Sequence, residues 1–262
     1  PGPELAESVA QLVRLIPSGQ LFTDAFSRSS NPVTLDIWMA QHPVTMLQFA
    51  EFVEADGYHN SGYWSPKGWA WAQEESAERL PVLARRFQVG TQPVVGVTCY
   101  EAEAYCSWLS ATLRERCGAT GWSVRLPSEV EWISAARGTL AIPVQTPCRA
   151  LSEAWAAGPV GNSVPLRSNP APRRALPWQD DPALVADWPL MGVGLDAPPA
   201  VGTFPELSGP YGTEEMTGSI WQWLATAWGP PWESTDLLLG EHAAPDLRFD
   251  AADMPRMVRG GS

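Results

Sequence analysis

Three helices are predicted by capping residues that are followed by apolar positions at helical spacing. In a capping box, a Thr or Ser and a Glu or Gln three residues later bond each other's backbone N–H groups and so start a helix. Apolar residues recur every three or four positions behind each box. We expect the first helix to end near Gly57 and the third to run from Trp132 to Arg137. The three boxes are Thr45 with Gln48, Thr98 with Glu101, and Ser128 with Glu131.

Shorter apolar or alternating runs predict strands between these helices. We expect residues 12–19 to form a strand ending in a Pro/Gly turn, residues 33–39 a second strand, and residues 201–205 a strand with a turn. Residues 58–71 are rich in Gly, Ser and Pro and are predicted to be a loop. Residues 139–200 are Pro-rich with little periodicity, and we expect them to be tied down across the surface.

The densest aromatic stretch is residues 218–223, with the sequence Gly-Ser-Ile-Trp-Gln-Trp. Trp221 and Trp223 lie two residues apart and therefore share one face of an extended segment. We expect this stretch, closed by residues 259–262, to be the hub on which the helices and loops pack. With 26 Pro and 22 Gly, the pattern predicts an α+β fold: an irregular, loop-rich single domain with short strands and few helices.

Composition and charge narrow the function classes. The chain is 45% hydrophobic, enough for a sizeable core. Its net charge of −12 argues against nucleic-acid binding, which needs a basic stripe, and against an anionic membrane surface. No apolar run is long enough for membrane insertion. No signal peptide is recognisable, which slightly favours a cytoplasmic location, although a start at Pro1 leaves a removed signal open.

The cysteines do not form a zinc motif, because no Cys-x-x-Cys pair is present and His is scarce. Cys99 and Cys106 lie seven residues apart, on one face if the segment is helical. Helix geometry then separates them by about 10 Å, which is too far for a disulfide. We therefore predict free, buried thiols. The remaining two cysteines are Cys117 and Cys148.

Aromatic residues cluster in the predicted loop at 58–71 and again just after the hub. Such a group is either a second packed shell of the core or the wall of a ligand site. Both interpretations stay open at this point. The candidate ligand-binding residues are Tyr58, His59, Tyr63, Trp64, Trp69, Trp71, Trp228 and Trp232.

An ordered set of short motifs resembles the formylglycine-generating enzyme (sulfatase-modifying factor) family. The resemblance covers residues 12–262, with residues 1–11 as an N-terminal lead-in, and it implies a single domain related to the C-type lectin fold. Each motif alone is weak, but their order is specific. The motifs lie at residues 42–45, 57–58, 93–97, 101–106, 125–132, 135–138, 201–205, 216–218 and 259–262.

The family that the chain resembles includes proteins with several different functions. Some members oxidise a substrate cysteine to formylglycine with copper bound by two enzyme cysteines. Others are iron-dependent sulfoxide synthases, whose His-rich iron site lies in a separate helical domain. Still others are binding proteins, including variable proteins diversified by retroelements. The copper-binding cysteines of the oxidases follow the Arg-Gly-Gly-Ser motif, whereas this chain stops at Ser262. As given, the sequence would therefore lack the C-terminal segment that contains these cysteines in the family's oxidases.

The family's central motif, Gly-Asn-Val-Trp-Glu-Trp, helps to hold a structural calcium ion in its members. Ser219 and Gln222 replace the Asn and the Glu here. Because calcium prefers carboxylate and carbonyl oxygen ligands, losing the Glu weakens this site. A structural calcium ion at Ser219 and Gln222 is the only cofactor that we predict.

From these departures we predict a non-catalytic module that binds a protein or a small-molecule ligand on a lectin-like scaffold. A further partner would be a chain or segment that completes the C-terminus. The alternative is a copper-dependent oxidase that converts a substrate cysteine to formylglycine, with its cysteine pair in a segment after Ser262.

A hydrolase is disfavoured, because the chain has no Gly-x-Ser-x-Gly elbow. Glu129 and Glu131 are two positions apart on a helix and face different ways. His42 stands just before a helix start and is assigned a structural role.

Overall fold

The computed structural model describes residues 7–22, 30–74, 89–158, 164–174, 176–177, 197–227 and 255–261. Six α-helices lie within these ranges, and none of them has the length and hydropathy needed to cross a membrane. Two 3-10 turns, Ser61–Tyr63 and Pro205–Leu207, supplement them. The helices are α1 (Glu7–Ala10), α2 (Met46–Glu54), α3 (Pro66–Glu74), α4 (Cys99–Cys117), α5 (Glu129–Arg137) and α6 (Leu151–Ala157).

Nine short strands form four small antiparallel sheets in the described part of the chain. One sheet has three strands in the order β4-β1-β6, and the others pair β2 with β3, β5 with β7, and β8 with β9. This architecture confirms the predicted α+β, loop-rich fold. The strands are β1 (Leu12–Ile16), β2 (Gly19–Leu21), β3 (Asn31–Val33), β4 (Ile37–Ala40), β5 (Ala141–Pro143), β6 (Cys148–Ala150), β7 (Leu166–Ser168), β8 (Trp221–Ala227) and β9 (Arg256–Gly260).

All three predicted capping boxes are present, with both reciprocal hydrogen bonds formed in each. The helices they start are α2, α4 and α5. Helix α5 begins at Glu129, earlier than the predicted Trp132, because Ser128 is the capping residue and the first turn follows it directly. It ends at Arg137 as expected, where Gly138 adopts a φ of 81°.

Three predicted elements differ from the structure. The strand expected at residues 33–39 is split, because Asp36 lies between β3 and β4 and accepts a hydrogen bond of 2.7 Å from the Ser18 N–H. Residues 201–205 form turns rather than a strand, with Gly202 at a φ of 75°. The predicted loop at 58–71 contains a 3-10 turn and most of α3.

The short helix α1 is held against α2 by the Glu51 carboxylate. Its two oxygens accept hydrogen bonds of 2.5 and 3.1 Å from the backbone N–H groups of Glu7 and Ser8. The Ser8 hydroxyl accepts a further bond of 3.0 Å from Tyr105, and Val9 is buried in the core. Residues 7–10 thus pack on the domain, while the proposed boundary after residue 11 stays a prediction.

The first core cluster is built around the ring of Phe52 on α2. Five aromatic rings surround it, with centroids 5.5–6.3 Å away. Gly57 lies flat against this ring, since a Cβ added to it would stand 2.1 Å from a Phe52 ring carbon. The surrounding rings belong to Phe49, Tyr58, Trp64, Tyr105 and Trp108.

A second core cluster lies beneath α5 and β8. Its largest fully buried side chain is Tyr211, whose hydroxyl accepts a hydrogen bond of 3.0 Å from the Thr139 N–H. The buried members are Ile16, Leu21, Val33, Trp132, Ile133, Ala135, Ala136, Ile142, Tyr211, Met216 and Leu224. The strand β8 therefore packs into the domain at the same place as the third predicted helix.

The start of α5 is also held by an ion pair. Arg125 donates two hydrogen bonds to the two carboxylate oxygens of Glu131, of 2.7 and 2.6 Å. Burial acts to raise the pKa of Glu131, but the bonds and charge of Arg125, together with bonds from Ser128, more than offset it. The pKa therefore lies below its ordinary value of 4.5.

Replacing Gly57 with Ala should destabilise the protein by about 1–3 kcal/mol, because the new methyl group overpacks the Phe52 ring. Urea denaturation measures the loss. Gly121→Ala is the matched control, since a Cβ there meets no atom within 4 Å. Equal urea midpoints for the two variants would contradict this prediction, because they would show that the Phe52 ring moves aside without a loss of stability.

Replacing Arg125 with Met should lower the free energy of unfolding near pH 7 by on the order of 1 kcal/mol, a modest value because Arg125 is 39% exposed. The pKa of Glu131 is depressed in the folded state, so the stabilisation is present above pH 4.5 and is lost as the pH falls through the folded value. Denaturation at several pH values checks this, with the exposed Arg167→Met as control. A difference that persists unchanged at low pH contradicts it.

Candidate functional site

The predicted hub is the β8–β9 pair. Trp221 lies opposite Gly260, Gln222 opposite Arg259, and Trp223 opposite Val258. Trp223 donates its indole N–H to the Val97 carbonyl at 3.0 Å, so it is anchored to the segment before α4. Trp221 is 59% exposed, and its ring lies against Gly261, where an added Cβ would stand 3.6 Å away. The hub therefore presents one open indole.

The hub is tied to α5 by two contacts. The guanidinium of Arg259 binds the buried carboxylate of Glu129, with one hydrogen bond of 2.8 Å from Nε and a second from Nη2. The Glu129 N–H in turn donates to the Thr226 hydroxyl at 2.9 Å. The first turn of α5 and both hub strands are therefore held together by a single acidic residue.

Gln222 bridges two further parts of the domain. Its amide oxygen accepts a hydrogen bond of 2.9 Å from the Trp132 indole, and its amide nitrogen donates to the Glu215 carbonyl at 2.6 Å. Ser219 has a φ of 66°, and its buried hydroxyl makes no hydrogen bond within the described residues. A calcium ion here would share the Gln222 amide oxygen with the Trp132 indole, because an amide oxygen has two lone pairs. Calcium at Ser219 and Gln222 stays a prediction.

Directly before the hub, two carboxylates and an imidazole converge. Nδ1 of His42 lies 3.7 Å from Oε2 of Glu214 and 3.5 Å from Oε2 of Glu215. All three atoms are buried, and none has a hydrogen-bond partner among the described residues. We call His42, Glu214 and Glu215 the acidic triad. Three potential ligand atoms for a cation therefore share one small space.

The outer oxygens of the triad are held by the protein. Oε1 of Glu214 accepts a hydrogen bond of 2.8 Å from the Gln41 amide, which is itself bonded by Arg14 at 3.1 Å. Oε1 of Glu215 accepts a bond of 2.9 Å from the Gly202 N–H. Each carboxylate is thus fixed on one side and turns its other oxygen toward His42.

The sequence analysis missed this triad. The pattern predicts a structural role for His42 and singles out neither Glu214 nor Glu215. The one local signal was a pair of adjacent acidic residues in a turn that leads into the hub. Nothing in the linear pattern relates that pair to a histidine near the other end of the chain, because the loops that join them follow no periodic pattern.

The predicted ligand-binding residues are distributed differently. Tyr58 and Trp64 are buried in the Phe52 cluster. Tyr58 donates to the Glu101 carboxylate at 2.5 Å, and burial, with the Glu101 charge and hydrogen bond, raises its pKa above the ordinary range. The Trp64 indole donates to the Gly57 carbonyl at 2.9 Å. Both polar groups are therefore used within the core.

The other predicted residues lie nearer the surface. Tyr63, Trp69 and Trp71 are half-buried. His59 is exposed, and its Nδ1 lies 2.6 Å from Asp56. Trp228 and Trp232 fall outside the described residues. Ligand contact at any of these positions stays a prediction.

The four cysteines are all free. Burial raises the pKa of Cys99 to about 12, and the nearby Glu103, whose carboxylate accepts a hydrogen bond from the thiol, adds to the shift. Burial also raises the pKa of Cys106 to about 12. Both thiols are therefore protonated at neutral pH and are free, as predicted, but their side chains are half-buried rather than buried.

Sequence comparison relates the chain to enzymes. It is 28% identical to a hercynine oxygenase of Mycolicibacterium smegmatis, over 84% of this chain and 44% of that protein. A hercynine oxygenase of Mycobacterium tuberculosis is also 28% identical, with the same coverage. A formylglycine-generating enzyme of Thermomonospora curvata is 28% identical over 65% of this chain and 44% of that protein. The chain spans less than half the length of these relatives.

These relatives correct the functional prediction. A non-catalytic binding module is wrong, because the relatives are named as oxygenases and as a formylglycine-generating enzyme. The related ideas of a pseudoenzyme or a variable protein gain no support. The alternative, an oxidase, agrees better with these names.

The family itself is determined by a separate comparison. The profile of the sulfatase-modifying factor enzyme 1-like domain matches residues 3–262. The match extends through the three capped helices, the acidic triad and the hub. The chain therefore belongs to the family of sulfatase-modifying factor enzyme 1-like domains, the formylglycine-generating enzyme family predicted from its motifs.

Proposed function

We propose that this chain is the formylglycine-generating-enzyme-type domain of an oxygenase of the hercynine oxygenase kind. The observation that carries the proposal is the likeness to three hercynine oxygenases, each aligned over 84% of this chain. The formylglycine-generating enzyme aligns over 65%. The substrate would be a small molecule.

Cys99 and Cys106 do not supply a copper site, and they leave the copper candidate open because the copper-binding pair of the family's oxidases follows the Arg-Gly-Gly-Ser motif. A copper ion of the family's oxidases needs two thiolates, and a thiolate site lowers the pKa of its cysteines. Burial instead raises the pKa of Cys99 and of Cys106 to about 12. These two residues therefore do not fit a copper site, and we route no step through copper.

Iron has no His-rich ligand set among the described residues. His42 faces Glu214 and Glu215, whereas His59 is exposed beside Asp56. In the sulfoxide synthases that the family includes, iron is bound in a separate helical domain. We therefore assign this chain no step on the metal, and its own contribution would be to bind and orient the substrate.

We place substrate contact at the open face of the hub. Trp221 is 59% exposed, and a Cβ added at Gly261 would stand 3.6 Å from its ring. An exposed indole on a fixed strand is a common anchor for a ligand, because it offers a large apolar face and one polar N–H.

The test uses the full-length natural protein with iron(II), dioxygen, hercynine and a small thiol. Oxygen uptake and mass spectrometry should show an oxygenated product that joins the two substrates. Replacing Trp221 with Ala should raise KM for hercynine by about tenfold, equivalent to about 1.4 kcal/mol, with a smaller effect on kcat. Leu166→Ala, which removes another exposed apolar side chain, is the control and should leave KM unchanged.

The second candidate is copper-dependent conversion of a substrate cysteine to formylglycine, and the relative from Thermomonospora curvata favours it. A copper-loaded sample is incubated with a cysteine-containing peptide, and aldehyde formation is detected with a hydrazine reagent. Aldehyde without oxygen uptake on hercynine would overturn our proposal in favour of this candidate. Activity in neither assay would also overturn it.

A further inference from the structure

We propose that the acidic triad of His42, Glu214 and Glu215 binds one divalent transition-metal ion. The three residues bring one potential ligand atom each within 4.8 Å of one another, and the unpartnered candidates are Nδ1 of His42 and Oε2 of each carboxylate. This site is separate from the hub face to which we assign the substrate, and the proposal does not depend on the reaction that the chain serves.

The spacing of the three atoms suits a metal better than a hydrogen bond. A tetrahedral ion with bonds of about 2.1 Å holds its ligand atoms about 3.4 Å apart. The observed separations from Nδ1, 3.5 and 3.7 Å, need only a small contraction to reach that value. Hydrogen bonds would require roughly 2.7–3.2 Å.

The same three buried atoms have no described partner that would offset the cost of burying them. Glu214 and Glu215 are each only 7% exposed, and burying a carboxylate oxygen without a partner is costly. A protonated His42 could point its Nδ1 hydrogen at only one of the two oxygens. A single cation between them satisfies all three atoms at once.

Charge and ligand type indicate the class of ion. Two carboxylates and a neutral imidazole balance a divalent cation. Imidazole favours zinc and iron, and carboxylate also suits manganese, whereas calcium prefers six to eight oxygen ligands. Copper(I) prefers soft sulfur ligands, and no described contact brings a cysteine to the triad. We therefore expect Zn²⁺ to bind more tightly than Ca²⁺.

The surroundings resemble the outer shell of a metal site. Ligating carboxylates are usually hydrogen-bonded through the oxygen that does not bind the metal, which fixes their orientation. Gln41 and the Gly202 N–H do this for Glu214 and Glu215. Glu215 also has a φ of 54°, and strained backbone of this kind clusters at ligand sites.

Solvent reaches the triad from the side of His42. Its side chain is 24% exposed and lines a pocket of about 180 Å³, which Thr91 and Val201 also border. A water molecule occupies about 30 Å³ in the liquid, so the pocket can hold several. The pocket borders His42 and neither Glu214 nor Glu215, so an entering ion or water would pass the imidazole to reach the three buried ligand atoms.

The test compares the full-length protein, without a histidine tag and stripped by a chelator, with its Glu214→Gln and Glu215→Gln variants. Each Gln keeps an oxygen for the outer hydrogen bond and loses the charged ligand. Calorimetric titration with Zn²⁺ should show one more bound equivalent in the parent than in either variant, or affinity at least about tenfold weaker in the variants. His59→Gln, at the exposed pair with Asp56, is the control and should not change the result.

Thermal unfolding supplies a second readout. Without metal, the variants should be at least as stable as the parent, because they bury one fewer charge; added Zn²⁺ should reverse this order. Co²⁺ bound to the parent should give the absorption bands of a low-coordinate nitrogen–oxygen site. No Zn²⁺ equivalent beyond that of the variants, or variants less stable with and without metal, would overturn the proposal in favour of a protonated His42 ion pair.

Discussion

The side-chain amide of Gln222 joins three parts of the domain that the chain order keeps apart. It accepts from Trp132 on α5 and donates to the Glu215 carbonyl, while its backbone is paired with β9. An amide can do both because it carries a donor and an acceptor at the same end. A carboxylate in its place could accept from Trp132 but could not donate to that carbonyl. The position of the segment that carries Glu214 and Glu215 therefore depends on this residue.

Buried carboxylates organise the rest of the structure. Their hydrogen-bond partners distinguish the carboxylates with a structural role from those with a functional role. Glu101, Glu129 and Glu131 all lie at helix starts: Glu101 and Glu131 accept hydrogen bonds on both carboxylate oxygens, and Glu129 is paired with the Arg259 guanidinium. Glu214 and Glu215 are satisfied on one oxygen only. Because an unpartnered buried charge is costly, natural proteins retain it chiefly where it serves a ligand or a reaction. Burial alone would not have separated the two groups.

The elements that depend on neighbouring residues could be predicted from the sequence. A capping box operates over three positions, so Thr45, Thr98 and Ser128 each identified a helix start. The split between β3 and β4 could not be predicted, since it depends on a bond from Ser18 to Asp36 across a turn. The acidic triad is even harder to predict from the sequence than this split. It requires the loop before α2, a turn at Gly202 and the turn before β8 to meet, and none of these segments follows a helical or strand period.

Replacements in a family motif are weak grounds for denying catalysis. The replacements at Ser219 and Gln222 suggested a weakened calcium site and, with the missing cysteine pair, favoured a binding module, yet the relatives are named as oxygenases and a formylglycine-generating enzyme. The contacts of Gln222 show why the inference fails: the residue joins α5 to the segment that carries Glu215, a structural task that is independent of any reaction. A changed residue in a hub can therefore alter how the domain is held together while leaving its chemistry to other groups. The side chains that are left exposed or unpartnered, such as Trp221 and the acidic triad, are better indicators of function.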